Sequence, residues 1–437
     1  MSGSRRASWP LVAAVVAMSA CGEAPSLPPA RNLLLITVDT LRADRLGAWG
    51  HDEPTSPNLD ALAGDAVQFR NARSTSSWTL PSLASLLTSL HASTLAIWDY
   101  ESSLGDSFTT LAEWLGDQDF RTAGVGSHTF LSERFGLQQG FDDFDDELVL
   151  ERTDDSHKVI SSDLVSDRAL AFLEAQPPDG PRWFFWAHYF DPHRLYLTHP
   201  GVSERFGTET PEQRYHGEIS FTDREVGRLL DGLAELGLAD DTLVIFTSDH
   251  GEEFDEHGRT GHGKHLYREM VEVPLLVRAP GIAAREVNEL VSLVDVLPTT
   301  LDLLGLPVPE GLAGRSLVPA MLGETLASEP ALAEARLFDQ WDSIERDSWR
   351  LLRLEGGERF LLFDHVLDPW EQHDVAPANP ELVRKLRGEL ERRLTTAAAL
   401  APEPGANSTP ALSDEQLESL RDLGYVEEEK AEEQGCR

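Results

Sequence analysis

The feature that most limits the fold is a set of short, almost wholly apolar runs, each too brief for a helix. Asn32–Val38 (NLLLITV), Thr122–Gly126, Trp183–His188 (WFFWAH), Thr242–Ser248 (TLVIFTS) and Val273–Arg278 (VPLLVR) offer hardly any polar face to water. Strands of that kind must be covered on both sides, which is the condition of a mostly parallel sheet. Between them run stretches with helical spacing: Leu80–Leu90, Leu111–Leu115, Ser162–Glu174 and Gly217–Leu236, the last with Ile219, Val226, Leu229, Leu230 and Leu233 on one face. The alternation predicts an α/β domain over residues 31–325, a large mixed, mostly parallel sheet flanked by helices. Beyond Leu322, short strands at Trp349–Leu354 and Arg359–Phe363 and a charged helix from Pro380 to Leu394 predict a smaller C-terminal α+β subdomain over 326–395. Residues 396–437 read as a low-complexity acidic tail.

At 41% hydrophobic residues the chain has ample material for a core, so global disorder is excluded. Lysine and arginine number 37 against 75 aspartates and glutamates, a net charge of −38. That balance excludes a nucleic-acid partner, which needs clustered cations. It does not exclude a small anionic substrate, which feels only its local pocket. The two cysteines, Cys21 and Cys436, are too few for a disulfide framework or a cysteine-rich zinc module.

Arg5 and Arg6 precede the apolar run Trp9–Ala20, which is shorter than the ~20 residues that cross a bilayer. Residues 1–20 therefore read as a signal peptide. Ser19 and Ala20 before Cys21 and Gly22 resemble a bacterial lipobox, which makes Cys21 the lipidated N-terminus and residues 21–30 a tether. The expectation is an exported lipoprotein of the cell envelope, held to the membrane by its N-terminal lipid. Gly22 after the cysteine points to the outer membrane in a Gram-negative host. The alternative is an ordinary secretory signal with an incidental cysteine.

Polar residues cluster where strands end or helices begin, the positions at which α/β sheets place ligands. Asp39 follows the first strand. Thr79 and Pro81 open a helical run, where a hydroxyl lies close to the positive helix end. Asp191 and His193 (FDPH) follow WFFWAH. Asp249 and His250 follow TLVIFTS and lead into a loop with His257, His262, Lys264 and His265. Singly, each has a plain reading as a helix cap, a turn or an exposed connection.

Together, in this chain order, the set resembles the sulfatase family of the alkaline-phosphatase-like superfamily. The matching stretches are NLLLITVDTLRADRLGAWG, TLPSLASLLTS, HYFDPH, TSDHGEEFDEHG, GHGKHLYREMVEVPLLVRAPG, VDVLPTTLDLLGLPVPEGLAGRSL and the later FDHVLDPWEQHDVA. The resemblance implies a hydrolase acting on sulfuric esters. It also implies one divalent metal ion (Mn, Zn or Ca) held by Asp39, Asp249 and His250 beside Thr79 at the nucleophile position. By the same resemblance Lys264 binds the anionic group of the substrate, and His193 contacts the substrate.

Two departures carry chemical weight. Thr79 stands where sulfatases of the usual type have Cys or Ser, and Leu83 where they have Arg, so the conversion to formylglycine is not expected. A secondary alcohol cannot become an aldehyde. Thr40 stands where many calcium sulfatases have a further Asp. The remaining set resembles phosphonate-monoester hydrolases and phosphoglycerol transferases of the same superfamily. The expected catalytic residues are Thr79 as a metal-activated nucleophile, Lys264 at the non-bridging oxygens, and His193 or His262 at the leaving alcohol. The alternatives are a phosphodiesterase, phosphonate-monoester hydrolase or phosphoryl transferase, and, in another class, a degenerate surface lipoprotein that only binds.

Overall fold

The computed structural model describes residues 29–150, 161–177, 180–354, 357, 359–401 and 411–426. The signal run and the lipidation candidate Cys21 lie outside these residues. Among the described residues no helix is long and apolar enough to cross a membrane.

The main sheet contains β1 (Asn32–Val38), β2 (Val67–Arg73), β3 (Arg121–Gly126), β4 (Asp143–Asp145), β5 (Trp183–Tyr189) and β6 (Thr242–Ser248). A short hairpin, β7 (Glu253–Phe254) with β8 (Thr260–Gly261), intervenes before β9 (Glu272–Arg278) and β10 (Arg285–Ser292) complete the sheet. The order is β10-β2-β9-β6-β1-β5-β3-β4, and only β9 runs against its neighbours. The apolar runs read from the sequence fill the centre, where β1, β5 and β6 are buried along their whole length. Sequence reading missed β2 and β10. The first mixes polar residues into its run (VQFRNAR), and the second is an edge strand with exposed positions.

One face of the sheet is covered by the Thr79–Thr88 helix through Leu80, Leu83, Leu86 and Leu87. The other is covered by the helices Ser162–Glu174 and Pro211–Glu235, through Val165, Ala169, Leu173, Val226, Leu229 and Leu233. Register then decides where the polar residues go. Val38 lies opposite Tyr189 of β5 and Ser248 of β6, while Gly126 lies opposite His188. These parallel strands end level with one another, so the residues just past each end gather over the middle of the sheet.

Four antiparallel strands, β11 (Ala331–Ala335), β12 (Trp341–Arg346), β13 (Trp349–Leu354) and β14 (Arg359–Asp364), form a second sheet. The Pro380–Ala398 helix covers one face with Leu386 and Leu390. The other face packs on Leu266, Met270 and Val271 from the chain leading into β9. The stretch expected to be only an acidic tail differs from that expectation: Asp414–Asp422 is a helix, and Leu420, Leu423 and Tyr425 join the main core. Its charged majority hid the three apolar residues that dock it.

Candidate active site

Asp39 and Asp249 each follow a central strand, and both are fully buried. His250 Nε2 lies 3.6 Å from Asp39 Oδ1 and 3.5 Å from Asp249 Oδ2. Among the described residues, both Asp39 oxygens and Asp249 Oδ2 lack a hydrogen-bond partner, while Asp249 Oδ1 accepts from backbone N–H groups. Three such carboxylate oxygens at zero exposure call for a cation. Burial first, and then the Asp249 charge, hold the Asp39 carboxyl well above its ordinary range. His250 Nδ1–H donates to the Gly251 carbonyl at 2.9 Å, which leaves the Nε2 lone pair facing the carboxylates. Donor separations near 3.5 Å suit the edge of a tetrahedron with bonds of about 2.1 Å. The residues therefore fit one divalent ion held by Asp39, Asp249 and His250, a set of carboxylate oxygens and one imidazole nitrogen.

The backbone is bent to make this possible. Thr40 has a φ of 55°, unusual for a β-branched residue, and its N–H donates to Asp249 Oδ1 at 3.2 Å. The Thr40 carbonyl accepts from the Tyr215 hydroxyl at 2.7 Å. At Gly251 a Cβ would stand 1.9 Å from the Glu269 carbonyl oxygen, so the turn after His250 admits only glycine.

Thr79 is the first residue of its helix, and its Oγ1 lies 3.3 Å from His250 Nε2. Ser82, one turn along, donates to the Asp249 carbonyl at 2.6 Å and fixes the helix against the β6 loop. Leu83, the position of the missing arginine, points into the core with no exposure. Gly263, at φ 79°, donates its N–H to the Ser77 carbonyl at 2.8 Å, which brings the His262 loop beside the nucleophile helix.

His193 Nδ1–H donates to the Arg194 carbonyl at 2.7 Å, so its Nε2 is an acceptor. Burial, reinforced by His262, holds it well below the usual imidazole range. His262 Nδ1 bonds Glu252 Oε1 at 3.1 Å, and burial followed by His250 keeps this ring neutral too. Both histidines assigned from sequence to protonating the leaving alcohol are thus proton acceptors at rest. Lys264 is half-buried at the edge of the cluster, close enough for its charge to act on His262. It donates to the Thr260 carbonyl at 2.8 Å and lines an open cleft of about 800 Å³ with Arg259, Phe338 and Tyr425. Burial and the nearby Arg194 lower its pKa. Asp191 is used structurally: its Oδ2 accepts from Ser161 N, Ser162 N and Ser162 Oγ.

Three site residues escaped the sequence reading. His128 follows β3 as the other ligands follow their strands, and that position was the available signal. Its Nδ1 accepts from Phe130 N–H at 2.9 Å, so the proton sits on Nε2, 3.8 Å from Asp39 Oδ2. His188, inside β5, places Nε2 3.6 Å from the same oxygen, and burial drops its pKa to about 4. Tyr425 arrives from the C-terminal segment, where nothing in the sequence marked it.

The sulfatase family pattern matches residues 31–306, and the pattern described as N-sulphoglucosamine sulphohydrolase, C-terminal, matches residues 256–399. The fold and site define a sulfatase-type ester hydrolase, and the chain belongs to the sulfatase family. It is 27% identical to the ulvan-active sulfatase of Formosa agariphila over 85% of this chain and 82% of that protein. It is 34% identical to arylsulfatase K of Bos taurus, over 40% of this chain and 35% of that one. Among solved structures, the phosphonate monoester hydrolase of Agrobacterium radiobacter superimposes with a TM-score of 0.71 at 22% identity, over 85% of this chain and 96% of that chain. Ps i-CgsB in complex with k-i-k-neocarrahexaose does so with a TM-score of 0.71 at 20% identity, over 90% and 97%.

Proposed function

We propose that this protein cleaves a sulfuric ester, or a related phosphoric or phosphonic ester, with Thr79 as nucleophile. The observation that carries the reading is the Thr79 hydroxyl at a helix N-terminus, 3.3 Å from an imidazole grouped with two buried carboxylates, three of whose oxygens have no hydrogen-bond partner among the described residues. A divalent ion held by Asp39, Asp249 and His250 supplies positive charge that lowers the pKa of a neighbouring hydroxyl. Thr79 passes its hydroxyl proton to the Nε2 lone pair of His193 or His262, and its oxygen forms a bond to sulfur or phosphorus while the bond to the alcohol oxygen breaks in line; the departing alcohol anion then takes that proton up. His128 Nε2–H donates to an oxygen of the transferred group or of the departing alcohol. Water then hydrolyses the threonine ester, and the Nε2 lone pair of His193 or His262 takes its proton.

Because both of those histidines rest unprotonated, the site favours esters whose alcohol leaves as a stabilised anion, such as aryl esters. The cations Arg194, Arg259 and Lys264 near the outer cleft offer an anionic ester a local attraction that the chain as a whole lacks. Threonine favours phosphoryl chemistry, since release of sulfate from formylglycine uses a second hydroxyl that Thr79 does not have. Membership of the family, and the sulfatases it resembles, support sulfate. A Cys21-anchored lipoprotein remains our reading of the N-terminus. The test is a screen of the mature chain against aryl sulfate, phosphate mono- and diesters and phosphonate monoesters, each with Ca, Mn and Zn. Thr79→Ala should abolish turnover and Thr79→Ser retain part of it. Unchanged turnover in Thr79→Ala would remove the nucleophile.

A further inference from the structure

Tyr425 stands at the reacting centre. Its hydroxyl lies 2.9 Å from Thr79 Oγ1, 3.3 Å from His193 Nε2 and 3.4 Å from His128 Nε2. The sulfur or phosphorus that Thr79 attacks, with its oxygens, must stand in much the same place. The ring fills a slot walled by aromatic groups: its centroid is 4.8 Å from Phe130, 5.2 Å from His262, 5.7 Å from His128 and 6.3 Å from Trp78. Tyr425 is 1% exposed and Thr79 wholly buried, so the phenol separates the outer cleft from the nucleophile. With Tyr425 in place, no ester reaches Thr79.

The segment carrying Tyr425 is a separate element docked on the body. The Asp414–Asp422 helix begins with a capping box between Ser413 and Gln416. It meets the body through Ser419 Oγ on Thr129 Oγ1 at 2.6 Å, Gln416 Nε2 donating to Ser132 Oγ at 3.3 Å, and the buried Leu420 and Leu423. A nine-residue helix is not stable alone in water, so its position depends on this docking. Its Asp414, Glu415, Glu418 and Asp422 are exposed.

We propose that the slot above Thr79 is a binding site for an aromatic alcohol, and that Ser413–Val426 is an internal competitor which fills it with the Tyr425 phenol. The phenol hydroxyl takes the place of the group that Thr79 attacks, and the ring extends into the aromatic-walled space where the alcohol half of an aryl ester would lie. Substrate binds when this segment undocks, and its apparent affinity is scaled by the undocked fraction. The inference rests on Thr79 being the nucleophile, and it extends that reading to the alcohol half of the substrate and to its control.

The test compares the wild type with Tyr425→Ala and Tyr425→Phe, as full chains supplied with Mn²⁺. Orthovanadate, an oxyanion that adds to a hydroxyl nucleophile, is the probe, and calorimetry reads its affinity. Tyr425→Ala should bind vanadate at least about tenfold tighter than the wild type, the order of one buried hydrogen bond. Phenol should then bind the alanine variant, filling the vacated slot, and leave the wild type unaffected. In the wild type, vanadate should accelerate amide exchange across residues 417–425. Tyr425→Phe retains the ring and loses the hydroxyl, so a modest gain in vanadate affinity is expected even where the alanine variant folds poorly. Equal affinities with unchanged exchange would overturn the competitor, and weaker vanadate binding in both variants would make Tyr425 a binding group instead. If Tyr425→Ala binds vanadate and phenol yet cleaves no ester, the hydrolase reading falls and the competitor stands. If esters are cleaved with equal vanadate affinities, the reverse holds.

Discussion

His365 offers a test of how the second sheet holds the site loop. Its Nδ1 lies 3.3 Å from Glu345 Oε1, and its Nε2 lies 2.8 Å from Glu371 Oε1. Glu345 also receives two bonds from Arg73 of β2, at 2.7 and 2.9 Å. Glu371 Oε2 accepts from the Arg268 backbone N–H at 2.8 Å, while Arg350, paired with Glu371, donates to the Leu266 carbonyl. The cluster thus ties the second sheet to the main sheet and to the chain just past Lys264. Burial alone would depress the imidazole, but Glu345 and then Glu371 overcome it and raise the pKa to about 9 from 6.5. The folded state prefers the proton. Its stabilisation is complete below pH 6.5 and is lost as pH rises through 9. The gap corresponds to about 3 kcal/mol. With an unfolding entropy of about 2.1 cal/mol/K per residue over roughly 400 residues, that is a change in Tm of about 3–4 °C. The assay is Tm against pH from 6 to 9.5 for the wild type and His365→Gln, which cannot titrate. The advantage of the wild type should narrow by that amount across the range. Parallel curves would refute the argument.

Replacing Asp249 by Asn retains the acceptor for Thr40 and His250 N–H but removes one of two anionic ligands, so the variant should lose its divalent ion on dialysis; elemental analysis showing equal metal in both proteins would dissolve the site. On the reading that its ammonium meets the substrate in the outer cleft, Lys264→Ala should raise KM by about tenfold, more at low salt, with kcat unchanged. A fall in kcat of about 10²–10³ would show instead that the amine reaches the transition state. Cys21→Ser should move the protein from the membrane fraction to the soluble fraction or leave its signal uncleaved; a processed, membrane-bound variant would end the lipobox reading.

The parts of the site legible in sequence were those whose positions follow from strand ends. Asp39 and Asp249–His250 close central strands, and parallel register brings such ends together whatever lies between them. Thr79 was legible as a helix start. His188 was not, because a histidine inside an apolar run looks like one more core residue until the neighbouring strand places Asp39 beside it. Direction was also hidden: neither the tautomers of His193 and His262 nor the turning of Lys264 toward Thr260 can be read from spacing, since His193 and Lys264 depend on a backbone carbonyl and His262 on the Glu252 carboxylate. In the fold, the apolar centre of the sheet was plain. The strands β2 and β10 were obscured by charged residues whose partners lie far along the chain, as Arg73 and Glu345 show.

The central position of β1 has a consequence for how the chain is made. It is the first strand to emerge, yet Thr37 pairs beside His188, 151 residues later, and β6 follows further still. Until those partners are synthesised, the run NLLLITV has no neighbour to cover either edge or either face, and contacts so distant in sequence form slowly. A nascent chain therefore carries an adhesive apolar segment until β5 and β6 have been made, a liability that holdase chaperones exist to shield. Truncated chains ending before Trp183 should accordingly aggregate rather than fold, and the centre that joins Asp39 to Asp249 cannot exist before more than half the polypeptide is present.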